Sequence, residues 1–373
     1  MNNVQPLPSL VIKGKKIKVP VVQGGMGVGV SLSPLAGAVA AEGGVGVVSS
    51  AAIDRIVSKR NGTKQNTYEA VYEEISLTKE KGGVSGINIM VALVQTYEDS
   101  VKAAIDAGVD VIISGAGLPM NLPAIKEPKD TALIPIVSSA RALELICKRW
   151  ERVHYRPDAV VLEGPLAGGH LGFRIEDMYL ESNKLENLLP SVKETAIKHG
   201  DFPVIVAGGI YSRNDIERFI KLGADGVQMG TRFLVTKESS ATDAYKQAVI
   251  NAGKEDIIVA QKPGSPCGLP FMVIKASPML YDSLNGKRRP HCDKGYVLAR
   301  DRAGHFTQCP AKVDDNTSFC ICNGLLSSAG YNPDTESPLY TVGANGYRIN
   351  GLTTVKELMN ELTGKQDEPA LPV

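Results

Sequence analysis

At 373 residues the chain is long enough to bury a substantial core, as one large domain or two ordinary ones. Its 43% apolar and 22% charged residues are those of a globular protein and exclude a fibrous or disordered one. Lys plus Arg number 41 against 40 for Asp plus Glu, so no global field favours nucleic acid or anionic lipid, and a small molecule is the expected partner.

The opening residues Met1-Asn2-Asn3-Val4-Gln5-Pro6 have neither the basic nor the apolar region of a secretory signal. Nowhere do about 18 apolar residues run uninterrupted, so no membrane span and a cytoplasmic location are expected. From about residue 19 to 235 short β-branched runs alternate with longer amphipathic segments. The first expected strand is Val19–Gln23, followed by the glycine-rich turn Gln23-Gly24-Gly25-Met26-Gly27-Val28-Gly29 and a helix over Ser33–Ala41, with Ser33 as N-cap and Pro34 in the first turn. Strands follow at Val45–Ser49, Gly86–Met90, Val109–Ser114, Ile134–Ser138, Ala159–Glu163, Val204–Ala207 and Gly226–Met229, with helices at Asp99–Ala107, Arg141–Trp150, Leu185–His199 and Ser212–Leu222.

These strands are continuous apolar runs, as burial on both faces of a parallel sheet requires. Eight such units in roughly 215 residues fit a (β/α)8 TIM barrel. The competing doubly wound dinucleotide fold is disfavoured, because Ser49-Ser50 stand at the end of the second strand where an acidic residue would bind a ribose. The barrel is expected over residues 1–255 and a Cys-containing C-terminal extension packed on it over 256–373. Residues 260–350 are rich in Pro, Gly, Cys and basic side chains, and a last helix is expected over Thr353–Leu362. The triplet Lys287-Arg288-Arg289 reads as a solvated turn.

Cys147 stands alone in a helical segment, whereas Cys267, Cys292, Cys309, Cys320 and Cys322 crowd into the last third. In a cytosolic protein these are reduced thiols or metal ligands rather than disulfides. Cys292, Cys309, Cys320 and Cys322 with His291 and His305 could ligate zinc or an iron–sulfur cluster, but the spacings are long, and packing as small apolar side chains is preferred, with no metal expected.

Two features carry chemistry. The run Glu163-Gly164-Pro165-Leu166-Ala167-Gly168-Gly169-His170-Leu171-Gly172 places a histidine among glycines at a strand end, where a planar ligand could approach the backbone and His170 could project into open space. The alternative is a glycine-rich turn whose histidine caps a carbonyl. The seventh and eighth strands end in Ala207-Gly208-Gly209-Ile210 and Met229-Gly230-Thr231-Arg232-Phe233, the loops that in barrels commonly bind phosphate through backbone N–H groups.

Taken with Gly86-Ile87-Asn88-Ile89-Met90 and Ser114-Gly115-Ala116-Gly117, these motifs resemble the nitronate monooxygenase family, formerly called 2-nitropropane dioxygenases, over about residues 15–250. The same set is similar to the FMN-dependent enoyl-ACP reductase that shares the fold. The resemblance implies FMN at the C-terminal mouth of the barrel, with Gly24, Gly25 and Met26 along the flavin ring, Asn88 hydrogen-bonding near its reactive edge, and Gly168 and Gly169 beside it. It further implies that Gly208, Gly209, Gly230 and Thr231 hold the phosphate, that Gln228 reaches the ribityl chain or ring, and that His170 is catalytic and faces the substrate.

The activity implied first is oxidation of alkyl nitronates by molecular oxygen; the second is NAD(P)H-dependent reduction of an enoyl thioester or a quinone. A flavin- or metal-binding scaffold without turnover is a third, of a different class. Phe173-Arg174-Ile175-Glu176-Asp177 is more polar than a mouth for a greasy acyl chain, and Met120-Asn121-Leu122-Pro123 could add pocket walls. The stretches Phe319–Leu326 and Gly343–Arg348 resemble the extension of longer family members. The oligomeric state stays open.

Overall fold

The β-branched runs form eight parallel strands: β1 (Val21–Gln23), β2 (Val45–Ser49), β3 (Val84–Met90), β4 (Val111–Gly115), β5 (Ala132–Val137), β6 (Val160–Glu163), β7 (Val204–Ala207) and β8 (Gly226–Met229). They pair in chain order, and β8 pairs with β1 to close the barrel, in register Val227 to Val21, Gln228 to Val22 and Met229 to Gln23. This is the expected (β/α)8 barrel. The structure, a computed structural model, describes residues 5–266, 268–287, 309, 311, 318–331 and 333–366.

Side-chain alternation divides each strand between two cores. Val22, Val47, Val111, Ile113, Val161, Ile205 and Ala207 belong to one cluster, inside the barrel, and Val48, Ile112, Leu162, Val204 and Val206 to another, under the helices. The N-terminal end is plugged by a hairpin, Leu10–Ile12 and Lys15–Ile17, whose Leu10, Ile12 and Ile17 join the inner cluster. Its two-residue turn is Lys13-Gly14, both at positive φ, the geometry that matches strand twist.

The helices sit within one or two residues of their expected bounds at Tyr97–Asp106, Ala140–Glu151, Leu185–Lys198 and Arg213–Lys221. Two helices that sequence reading does not separate, Ile53–Asn61 and Thr67–Lys79, fill the long connection from β2 to β3. One expectation is corrected. Ser33 is the first residue of its helix rather than its cap; Leu32 occupies the cap position and makes no side-chain bond. The buried carboxylate of Glu74 instead accepts from the Ser33 N–H at 2.6 Å, and Arg60 pairs with the same carboxylate. A buried anion paired to Arg60 thus caps the helix more strongly than the serine hydroxyl would.

Past β8 the strand–helix rhythm stops, yet the extension contributes strands of its own. β9 (Ile257–Ala260) and β10 (Phe271–Ile274) are antiparallel, and β10 also pairs with the two-residue strand Gly169–His170 from the β6–β7 connection. Residues from the extension and from the barrel loops, among them Phe271, Phe319, Leu326, Leu339, Val28 and Ala52, share a separate buried cluster. The last helix, Val355–Leu362, packs against Ser33–Ala41. Among the described residues, no helix is long and apolar enough to cross a membrane.

Arg232, just past β8, forms a bidentate pair with Glu361 of the last helix at 2.8 and 2.7 Å, with both side chains under a tenth exposed. Glu361→Ala would leave a buried guanidinium uncompensated and should cost about 3–5 kcal/mol in denaturant unfolding. Arg232→Met combined with Glu361→Leu should cost much less. A loss below about 1 kcal/mol for the single variant would refute this role for the pair.

Candidate functional site

The C-terminal ends of the strands surround a cavity of about 670 Å³. All twelve residues expected at the site line it: Gly24, Gly25, Met26, Asn88, Gly168, Gly169, His170, Gly208, Gly209, Gln228, Gly230 and Thr231. They come from five different strand ends, and barrel closure alone brings residue 24 beside residue 230.

The first loop is held by a residue whose role sequence reading missed. Gln23, fully buried, donates through Nε2 to the Gly24 carbonyl at 2.6 Å and to Ser31 Oγ at 2.9 Å, and its Oε1 accepts from the Val47 N–H at 2.9 Å. Ser31 Oγ in turn accepts from the Met26 N–H at 2.9 Å. The signal was a glutamine ending an otherwise apolar strand, where an unpaired amide would be costly. Gly25 is required by space, since a Cβ there would lie 2.4 Å from the Asn88 Cβ. Gly208 is required by conformation and space together, with φ of +100° and a Cβ position 2.9 Å from the Gly164 carbonyl oxygen.

The backbone N–H groups of Gly208, Gly209, Gly230 and Thr231 have no hydrogen-bond partner among the described residues. Four such amides at two adjacent strand ends are what an anion-binding site requires. The extension locks these loops from above. Asn345 Nδ2 donates to the Gly209 carbonyl at 2.6 Å, the Gly343 N–H donates to Thr231 Oγ1 at 3.0 Å, and the Ala344 N–H donates to the Leu166 carbonyl at 3.1 Å. Sequence reading did not connect the Gly343–Gly346 turn to the loops after β7 and β8, because nothing in the intervening hundred-odd residues marks the contact.

Two polar groups on the cavity floor lack partners among the described residues. β6, β7 and β8 align Glu163, Ala207 and Gln228 in one row, and both polar side chains line the cavity. The buried Gln228 Oε1 has no hydrogen bond. Glu163 has no ion pair among the described residues, and burial pushes its carboxyl up to about 7. Glu163 was read only as the end of a strand; its signal was a carboxylate at an inward-facing position, two residues after Val161.

His170 is half-buried. Its Nε2 lies 2.7 Å from Ser265 Oγ in the extension, and its ring meets that of Phe271 edge-on, with centroids 4.8 Å apart. Pairing of Gly169–His170 with β10 converts a barrel loop into a strand and fixes where the imidazole points. Cys309, Cys320 and Cys322 line the cavity. Cys267, Cys292, His291, His305, Arg288 and Arg289 lie outside the described residues. Met120-Asn121-Leu122-Pro123 is not part of the lining, although Gly117 and Leu118 are.

The cavity lies at the C-terminal mouth of a (β/α)8 barrel, where enzymes of this fold keep their chemistry, and the comparisons place the chain among the flavin-dependent oxidoreductases. The family model described as nitronate monooxygenase matches residues 9–365, and the chain belongs to that family. A 5-hydroxy-7a-methyl-1-oxo-octahydro-1H-indene-4-carboxyl-CoA dehydrogenase of Mycobacterium tuberculosis is 29% identical over 290 residues, 78% of this chain and 71% of that protein. A probable nitronate monooxygenase of Staphylococcus haemolyticus is 32% identical over 167 residues, 44% of each chain. Among solved structures, FabK from Thermotoga maritima superposes with a TM-score of 0.68 at 24% identity, covering 94% of this chain and 93% of that one. A nitroalkane oxidase from Streptomyces ansochromogenes gives 0.65 at 21% identity, covering 93% and 95%.

The Glu163 carboxyl gives a pH signature. Because its folded-state value lies above the usual 4.5, its contribution to stability is fully present below about pH 4.5 and is lost as pH rises through about 7. In the flavin-free chain, Glu163→Gln should therefore gain melting temperature relative to the parent across that window. A difference between the two that stays constant with pH would show that Glu163 ionises freely.

Proposed function

We infer that this protein is an FMN-dependent oxidoreductase that oxidises alkyl nitronates with molecular oxygen. The observation that carries the reading is the convergence, in one cavity, of the glycine-lined mouth, the amide nest and His170. The fit to FMN rests on this chain's own atoms. One anion nest suits one phosphate, Gln228 Oε1 is a buried acceptor awaiting a donor, and the half-buried Asn88 amide has no partner among the described residues.

In this reading Gly208, Gly209, Gly230 and Thr231 would hold the phosphate, and Gln228 the ribityl chain or ring. Gly24, Gly25 and Met26 would lie along the ring, with Asn88 at its reactive edge and Gly168 and Gly169 beside it. Bound FMN supplies the electron transfer and the reaction with oxygen. His170 orients the nitronate and hydrogen-bonds its nitro oxygens, with Ser265 fixing the imidazole through Nε2. A nitronate is already a carbanion equivalent, so the protein needs to position it and exclude water more than to take a proton. The barrel over 1–255 and the extension over 256–373 act as one unit here, because Ser265 and Asn345 of the extension complete a site whose other parts are in the barrel.

The cavity volume supports a second reading, NAD(P)H-dependent reduction of an enoyl thioester or quinone, since about 670 Å³ exceeds what a small nitronate needs beside a flavin. The Mycobacterium tuberculosis relative, named for a CoA thioester, favours the same reading. There His170 stabilises the enolate. Anaerobic stopped-flow separates the two: bleaching of the flavin by propyl nitronate supports the first, bleaching by NAD(P)H supports the second, and bleaching by neither overturns both.

Gly209→Asp adds bulk and like charge at the amide nest and should raise the FMN dissociation constant at least tenfold, read by flavin fluorescence. An unchanged constant would refute the phosphate assignment. His170→Ala should keep fold and flavin content and lower turnover by roughly 10² to 10⁴. Normal flavin reduction in that variant, with both nitronate and NAD(P)H-linked substrates, would make His170 structural.

A further inference from the structure

Residues 341–348 of the extension cross the loops after β6, β7 and β8 as a strap. At one end the buried Tyr245 holds both polar backbone groups of Thr341: its hydroxyl donates to the Thr341 carbonyl and accepts from the Thr341 N–H at 2.9 Å. At the other end the Tyr211 hydroxyl donates to the Arg348 carbonyl at 2.7 Å, and the Arg348 guanidinium lies 4.1 Å from the centre of the Tyr211 ring. Between these anchors the strap meets the barrel loops almost backbone to backbone. A Cβ on Gly168 would lie 2.8 Å from the Gly343 nitrogen, and one on Gly343 would lie 3.1 Å from Thr231 Oγ1. Two of the strap's bonds bear on the loops of the amide nest. Thr231 Oγ1 accepts from the Gly343 N–H at 3.0 Å, so the hydroxyl's own proton points away from the strap and Thr231 is set as a donor. Asn345 Nδ2 donates to the Gly209 carbonyl at 2.6 Å, which fixes the peptide after a residue at φ of +80°.

We propose that the strap and a phosphate group bind the barrel cooperatively: docking of residues 341–348 presets the loops that receive the phosphate, and a bound phosphate in turn holds the strap down. Asn345 and Tyr211 are positioning residues in this scheme, acting through Gly209 and through the strap's end without having to touch the phosphate. Both events order the same residues, Gly208, Gly209, Gly230 and Thr231. Whichever comes first bears the loss of loop entropy, and the second binds to loops already ordered. The coupling is reciprocal, so a strap that strengthens phosphate binding is itself stabilised by phosphate to the same degree. The proposal rests on the flavin reading above for where the phosphate sits, whereas the strap's own contacts stand without it.

The test compares FMN with riboflavin, which shares the ring and ribityl chain and lacks the phosphate. Hydrogen exchange of the full chain, read by mass spectrometry on peptides spanning 341–348, should be slower by about tenfold with FMN than with riboflavin, the range usual for coupled sites. Asn345→Ala should raise the dissociation constant of FMN by about the same tenfold, read by flavin fluorescence, and leave that of riboflavin unchanged. Tyr211→Phe, which keeps the ring and removes the bond to the Arg348 carbonyl, should act in the same direction. Asn66→Ala removes the cap of the helix Thr67–Lys79 in the β2–β3 connection and should lower the melting temperature while changing neither constant. Equal weakening of FMN and riboflavin by Asn345→Ala, or strap exchange that is the same with either flavin, overturns the coupling. If the parent chain binds neither flavin, the flavin reading falls, and inorganic phosphate then decides the coupling: it must slow strap exchange in the parent and fail to do so in Asn345→Ala, and any other result overturns it.

Discussion

Closure of the sheet at the β8–β1 seam is the constraint on which the site depends. β1 is three residues long and shares a single residue pair, Val22 with Val45, with β2. The ladder is extended there by a side chain, with Gln23 Oε1 taking the Val47 N–H, while the Gly24 N–H continues the pairing on the other side to the Met229 carbonyl at 2.8 Å. Gln23 therefore serves two neighbours at once, strand β2 and the loop that starts at Gly24. A parallel barrel leaves few alternatives at such a narrow seam, since every buried amide must find a partner. The first and last motifs of the barrel are brought together by this seam, and the cavity floor exists only once it is made.

The second organising element is the conversion of the β6–β7 connection into structure. Loops at the mouth of a barrel are ordinarily its most mobile part. Here Gly169–His170 is hydrogen-bonded into the extension's sheet, the Leu171 N–H reaches the Pro270 carbonyl at 3.0 Å, and Leu171 packs with Met178 and Met272 in a small buried cluster. The histidine is thereby oriented by three elements distant in sequence: its own loop, β10 and the Ser265 turn. A side chain held on rigid neighbours loses less on reaching a given geometry than one on a free loop, which suits the role proposed for His170.

How much of this was legible follows from where the forces act. The eight strands were readable because burial on both faces demands unbroken Val, Ile and Leu runs, as at Val45–Ser49 and Val204–Ala207, where expected and observed bounds coincide. The glycine motifs were readable because close backbone approach admits no substitute at Gly25 or Gly208. What escaped reading rests on partners far away in sequence. Nothing near Ser33 announces that Glu74 will cap its helix, 41 residues on. The two residues of the Gly169–His170 strand carry no periodicity, and become a strand only because Phe271 and Met272 lie alongside. Cys309, Cys320 and Cys322 look the same in sequence whether they pack, ligate or line a wall; their place in the cavity lining is a property of the fold.

The electrostatics of the cavity explain why charge composition was silent about it. The guanidinium beside the amide nest, that of Arg232, is doubly bonded to Glu361, donates to the Tyr211 carbonyl at 3.0 Å and lies 4.3 Å from the Tyr211 ring centre. Its charge is neutralised within the fold, and it serves to hold the last helix against the barrel. Glu163, kept neutral toward pH 7 by burial, adds little opposing charge. In the proposed reading, an anion would be met by backbone dipoles at Gly208, Gly209, Gly230 and Thr231 rather than by a charged side chain. Recognition by dipoles selects for glycine and for exact backbone course rather than for lysine or arginine. On that reading a chain with 41 basic and 40 acidic residues would hold an anion site that leaves no trace in its net charge.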